Sequence, residues 1–252
     1  MRLSERRGIA MCGRYTVDAH PDAVRVRFEV PETTLLDLLD GRYNVAPTQT
    51  VPAIRPAAAS FGDGSPTAVG GWGHGRELVA LAWGFIPSWS KSSKVDFSNI
   101  NARDDKIEES RVYKPAFRKR RCILPATGFY EWAPGQGVKG PKVPWHFRLA
   151  DGELFGFAGI WERWTPKDRG EPIESCALMT TSPNVLVEPI HGRMPAILRP
   201  EHYAEWLDPE TPTARLRDLL APYPAGDMEA WPVSPYVNSP LHQGERCLRP
   251  VA

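Results

Sequence analysis

RRCILPATGFYEW, residues Arg120–Trp132, holds two strand-like runs in thirteen residues. Arg121–Leu124 and Gly128–Trp132 are rich in β-branched and aromatic side chains, with Pro125 between them and Gly128 opening the second. Working outward, the same signature recurs at Val51–Arg55, Leu78–Ala82, Trp145–Leu149, Phe155–Ile160 and Ser175–Thr180. Helical patterns fall at Asp22–Phe28, Pro115–Lys119, Pro183–Val187, Pro200–Leu207 and Thr213–Leu220. The 26 prolines are spread through the chain and divide it into short elements, which disfavours a helical bundle. The expected fold is α+β: one domain with a curved, largely antiparallel, barrel-like sheet and peripheral helices. Ser60–Gly75 and Pro134–Pro141 read as loops within that domain, and the glycines of the first lack P-loop spacing.

At 252 residues, with 42% hydrophobic and 24% charged side chains, the chain can bury a full core. No apolar run is long enough to cross a bilayer, so no membrane partner is expected. The opening MRLSERRGIA has three arginines and no apolar stretch, so it does not read as a secretory signal. Cys12, Cys122, Cys176 and Cys247 are far apart, without a CxxC pair or a neighbouring His at zinc spacing. Neither a metal nor another cofactor is expected, and a reducing, cytoplasmic setting fits. Net charge is +1, but Asn101–Ala150 carries eleven basic against five acidic residues, while Glu201–Ala252 carries four against eight. The basic side suits phosphate as well as it suits plain solvation.

Six clusters are dense in functional side chains: MCGRYT (11–16), YNVAPTQ (43–49), WGFIPSW (83–89), NAR (101–103), GFYEW (128–132) and HGRMP (191–195). Each residue has an ordinary alternative. Glu131 alternates with Tyr130 and Trp132, as a solvent-facing strand carboxylate does; Asn101 can cap a turn, His191 can bond backbone, and Trp83 can fill a core.

In this order and spacing the clusters resemble the SRAP (SOS response-associated peptidase) family of abasic-site processing proteins, from Met11 to about Trp206. The resemblance implies a protein that binds single-stranded DNA and crosslinks covalently to abasic sites through a terminal Cys, in single turnover, shielding the lesion in the DNA damage response. It implies Cys12 as nucleophile, Asn101 as the side chain that positions it, Glu131 as a proton carrier and His191 as an aid to sugar ring opening. Arg14, Arg103 and Arg193 match phosphate contacts; Trp83, with Pro47 nearby, matches an apolar wedge against bases; Thr180 is a further DNA-contact match. A monomer acting at the nucleoid is expected.

The chemistry agrees with the residue types. The α-amine, with a pKa of about 8, is partly neutral near neutral pH and can attack the aldehyde of an opened abasic sugar. The adjacent thiol then closes a thiazolidine, which neither Lys nor an internal Cys can do. One departure matters: eleven residues precede Cys12, where the family has only the initiator Met. The active form is therefore expected to lack this leader, by starting at Met11 and losing it or by cleavage. Family members are also credited with self-cleavage at this position. Two other readings of the same residues are a Cys–His thiol peptidase or amidohydrolase built on Cys12 and His191, and a non-catalytic single-strand binding module.

Overall fold

The computed structural model describes residues 12–31, 35–57, 75–95, 97–135, 140–168 and 170–251. The expected leader, residues 60–74 of the first loop and residues 136–139 of the second lie outside the described residues. The strands are β1 (Tyr15–Val17), β2 (Arg42–Val45), β3 (Thr50–Pro56), β4 (Arg76–Trp83), β5 (Asn101–Arg103), β6 (Arg121–Ala126), β7 (Gly128–Ala133), β8 (Val143–Leu149), β9 (Phe155–Trp164), β10 (Ile173–Thr181), β11 (Met194–Pro195), β12 (Ile197–Leu198) and β13 (Met228–Pro232). The helices are α1 (Pro21–Phe28), α2 (Lys114–Lys119), α3 (Tyr203–Leu207) and α4 (Thr213–Asp218).

Strands β10, β4, β3, β6 and β9 pair in that order, and β9 pairs back onto β10, so this sheet closes into a five-stranded barrel. Its pairings are antiparallel except where β10 runs parallel to β4 and to the short β5. A second, wholly antiparallel sheet has the order β13–β8–β7–β1–β2. The mixed, mainly antiparallel, barrel-like fold read from the sequence is thus present, and all seven anticipated strands form.

Arg120–Trp132 is the corner between the two sheets. β6 lies in the barrel and β7 in the second sheet, with only Thr127 between them. Gly128 makes the corner possible, because a Cβ there would stand 2.3 Å from His146 Nε2 and 2.7 Å from the Phe147 carbonyl oxygen. The sheets meet through aromatic rings: Tyr15 packs edge-on against Trp83 and Phe157 at 5.3 and 5.9 Å, and Phe129 meets Phe157 at 6.2 Å. Such pairs contribute about 1 kcal/mol each beyond their buried area.

The helices are too short to stand alone. Arg121, buried in β6, holds two of them: it donates to the carbonyls of Phe117 and Arg118 in α2, and to those of Trp206 and Asp208 at the end of α3. Burial lowers its pKa to about 10. One expected helix is absent. Pro183–Val187 is a turn, because the Asn184 side chain accepts from the backbone N–H groups of Leu186 and Val187 at 3.1 and 3.0 Å and donates to the Tyr223 carbonyl at 2.7 Å. An Asn that bonds its own backbone in this way competes with helix.

Candidate active site

Alternation along β7 decides where Glu131 points. Tyr130 and Trp132 belong to an outer cluster with Val233, Val237 and Cys247, so the C-terminal segment covers that face. Glu131 shares the opposite, intersheet face with Phe129. It is 3% exposed, not the solvent-facing carboxylate that alternation with Tyr130 and Trp132 offers as its ordinary reading. Its Oε1 accepts a hydrogen bond from the backbone nitrogen of Cys12 at 2.8 Å. Cys12 is itself buried and sits in the left-handed region with φ 45°. Burial pushes the Glu131 carboxyl up, opposed by the charge of His191, by the bonds from Cys12 and by Lys142. Burial, and then the Glu131 charge, pushes the Cys12 thiol well above its usual range.

His191 completes the group. The Asn184 turn leads to it, and its backbone N–H bonds the Val187 carbonyl at 2.9 Å. Its Nδ1 is 3.9 Å from Glu131 Oε1 and lies 3.2 and 3.0 Å from the backbone nitrogen and oxygen of Arg193. Arg193 is buried. One of its terminal nitrogens donates to Asp104 Oδ1 at 2.5 Å and to the Thr180 carbonyl at 2.6 Å. Thr180 takes part through this carbonyl, on β10 beside Arg103 and Pro195.

The remaining anticipated residues are more scattered. Asn101 opens β5, half-buried and paired with Leu178 of β10. Arg103 is exposed and makes a two-pronged bond to Asp105 at 2.9 and 2.7 Å. Arg14 faces the C-terminal segment, donating to Asn44 Oδ1 and to the carbonyls of Val237 and Asn238. These bonds give it a structural task. Trp83, expected as a wedge, is fully buried against Tyr15, with its indole nitrogen on the Ile100 carbonyl at 3.0 Å. Pro47 does stand beside it, in a turn whose Thr48 N–H bonds the Trp83 carbonyl at 2.8 Å. The surface aromatic of that motif is Trp89, 68% exposed. Sequence reasoning missed Asp104 and Asp105, whose one visible signal is the doubled acid directly after Arg103.

Among the described residues no group of His, Cys, Asp and Glu could hold a metal ion, and no helix is long and apolar enough to cross a membrane. All four cysteines are free and buried.

Residues 11–240 match the family model described as SOS response associated peptidase (SRAP). The chain is 39% identical over 243 residues to the abasic site processing protein YoaM of Bacillus subtilis, covering 94% of this chain and 97% of that one. It is 35% identical over 197 residues to the abasic site processing protein HMCES of Gallus gallus, covering 70% of this chain and 58% of that protein. A solved structure from Bacteroides thetaiotaomicron superimposes with a TM-score of 0.79 at 28% identity, over 96% of this chain and all of that one. The chain belongs to the SOS response associated peptidase (SRAP) family.

Proposed function

We propose that this protein processes abasic sites by binding single-stranded DNA and forming a thiazolidine crosslink through Cys12 once the leader is gone. The observation that carries the reading is the 2.8 Å bond from the Cys12 nitrogen to Glu131 Oε1. Freed of the residues before it, that nitrogen is the α-amine, already bonded to a carboxylate able to take its proton. Attack on the sugar aldehyde gives a carbinolamine. Glu131 returns the proton to the departing hydroxyl, water leaves and an imine remains. The Cys12 thiol adds across the C=N bond, its proton passing to the nitrogen, and the ring closes. The net change is loss of one water. His191, 3.9 Å from the same Glu131 oxygen, is the group suited to exchange a proton with the sugar oxygen as the abasic sugar opens.

The Cys–His hydrolase reading needs a thiolate, and burial together with the Glu131 charge disfavours one at Cys12. The test is an abasic oligonucleotide mixed with the protein expressed from Met11. An adduct that survives denaturing electrophoresis, and is lost in Cys12→Ser with DNA binding retained, supports the reading. Peptide turnover without DNA, and no adduct, would replace it with the hydrolase.

A further inference from the structure

We propose that Asp104 is a positioning residue for this site: it anchors the Arg193 side chain and, through the Arg193 backbone, sets the imidazole of His191. The proposal rests on the reading of the site given above. Asp104 lies in the short turn Asp104–Lys106 that follows β5 and is held from three sides. Its Oδ1 accepts from Arg193 at 2.5 Å and from the Asp105 backbone nitrogen at 2.7 Å, while its Oδ2 accepts from the Thr181 hydroxyl at 2.8 Å. The carboxylate is therefore a fixed point on the barrel, and the charged pair it makes is largely buried.

The backbone N–H of His191 is anchored to the Val187 carbonyl at 2.9 Å, but its imidazole is oriented through Arg193. Residues 191–193 lie outside any strand, between the Asn184 turn and β11, and a Cβ at Gly192 would meet nothing within 4 Å. The side-chain contacts of His191 run to the Arg193 backbone, 3.2 Å to its nitrogen and 3.0 Å to its oxygen, and to Glu131. The Arg193 guanidinium in turn is tied to Asp104 and the Thr180 carbonyl. Loss of Asp104 leaves the buried cation with Asp105, 3.7 Å from the same nitrogen, as its counter-charge among the described residues, so the guanidinium must shift towards it and carry the backbone at His191 with it. A shift of this kind lowers the rate at bound substrate more than it lowers binding.

The test compares Asp104→Ala and Asp104→Asn with wild type. In spectra of the full 252-residue chain without DNA, Asp104→Ala should displace the His191 imidazole resonances. In crosslinking by the chain expressed from Met11, its rate at saturating abasic DNA should fall about tenfold or more, with half-saturation changing less than about threefold. Asp104→Asn, which keeps one acceptor oxygen for Arg193 and turns to Thr181 an amide that its hydroxyl can accept from, but loses the charge, should recover part of the rate. Should Asp104→Ala not fold, Asp104→Glu, which displaces the carboxylate by one methylene, takes its place with the same readouts. Unmoved His191 resonances, or a loss confined to half-saturation, overturns the proposal. If wild type forms no adduct, the crosslinking reading fails by itself and the His191 spectra still decide the role of Asp104.

Discussion

The backbone nitrogen of Cys12 lies 2.8 Å from Oε1 of Glu131, a contact made across 119 positions of chain. It joins the approach to β1 with the middle of β7, two adjacent strands of one sheet. An ordinary amide in that position merely satisfies a buried carboxylate. A free amine in the same position is a nucleophile with its proton acceptor in place.

Glu131→Gln keeps the shape of the side chain and removes the exchangeable proton. It is expected to fold with an unchanged melting temperature and to slow crosslinking by about a hundredfold, in the usual range for general acid–base catalysis. Single-turnover gel kinetics at saturating abasic DNA measure this. A wild-type rate would remove Glu131 from the chemistry.

The leader sets the state of the Cys12 nitrogen. A chain that retains Met1–Met11, verified intact by mass, is expected to bind single-stranded DNA yet give no stable adduct, because its nitrogen is an amide. The same chain started at Met11 should react to completion after Met excision. Equal rates for the two forms would refute the terminal-amine mechanism.

Arg103 and Asp105 form an exposed two-pronged pair beside the site. Arg103→Ala is expected to reduce the slope of log affinity against log salt by about one, the effect of one lost phosphate contact. Asp105→Asn frees the guanidinium and should tighten binding to undamaged single strands. Fluorescence anisotropy across a salt series reads both, and slopes unchanged in Arg103→Ala would exclude Arg103 from the DNA path.

His146 in β8 is buried between the rings of Tyr130 and Trp231, at 5.0 and 4.9 Å, and neither ring nitrogen meets a hydrogen-bond partner among the described residues. Burial, helped by Arg148, lowers its pKa to about 3. In the unfolded chain the value is about 6.5, so on acidification the unfolded state takes up the proton first. The cost to stability is absent above about pH 6.5 and grows as pH falls from there towards the folded value. Urea melts of His146→Leu should show a shallower loss of stability between about pH 6.5 and 4 than wild type, whatever the variant's stability at neutral pH. Parallel curves would mean that His146 does not contribute to acid lability.

The seven long strands were legible because alternation and β-branched content are local properties, readable in five or six residues. Three-residue strands such as β1 and β5 were not, since they are strands only by virtue of the ladders they join. At Pro183–Val187 a helical pattern yielded to Asn184, whose partners at Tyr223 and in its own turn exist only in the folded chain. The expectation that Cys12, Glu131 and His191 form a site rests on residue type and motif order, which sequence alone supplies. Their proximity does not, and neither does the burial of Glu131. Alternation assigns Glu131 one face of β7 and Tyr130 the other, but which face meets water depends on what covers each. Residues Val233–Cys247 cover the outer face and the barrel covers the inner one, so Glu131 is buried on the side of the site. The same logic applies to Trp83, which the fold buries, and to Arg14, which it ties to the C-terminal segment. An indole or a guanidinium reads alike in sequence whether it faces solvent or the core, and only the packing of two sheets, with Asn44 and the Val237–Asn238 carbonyls in reach of Arg14, decides between them.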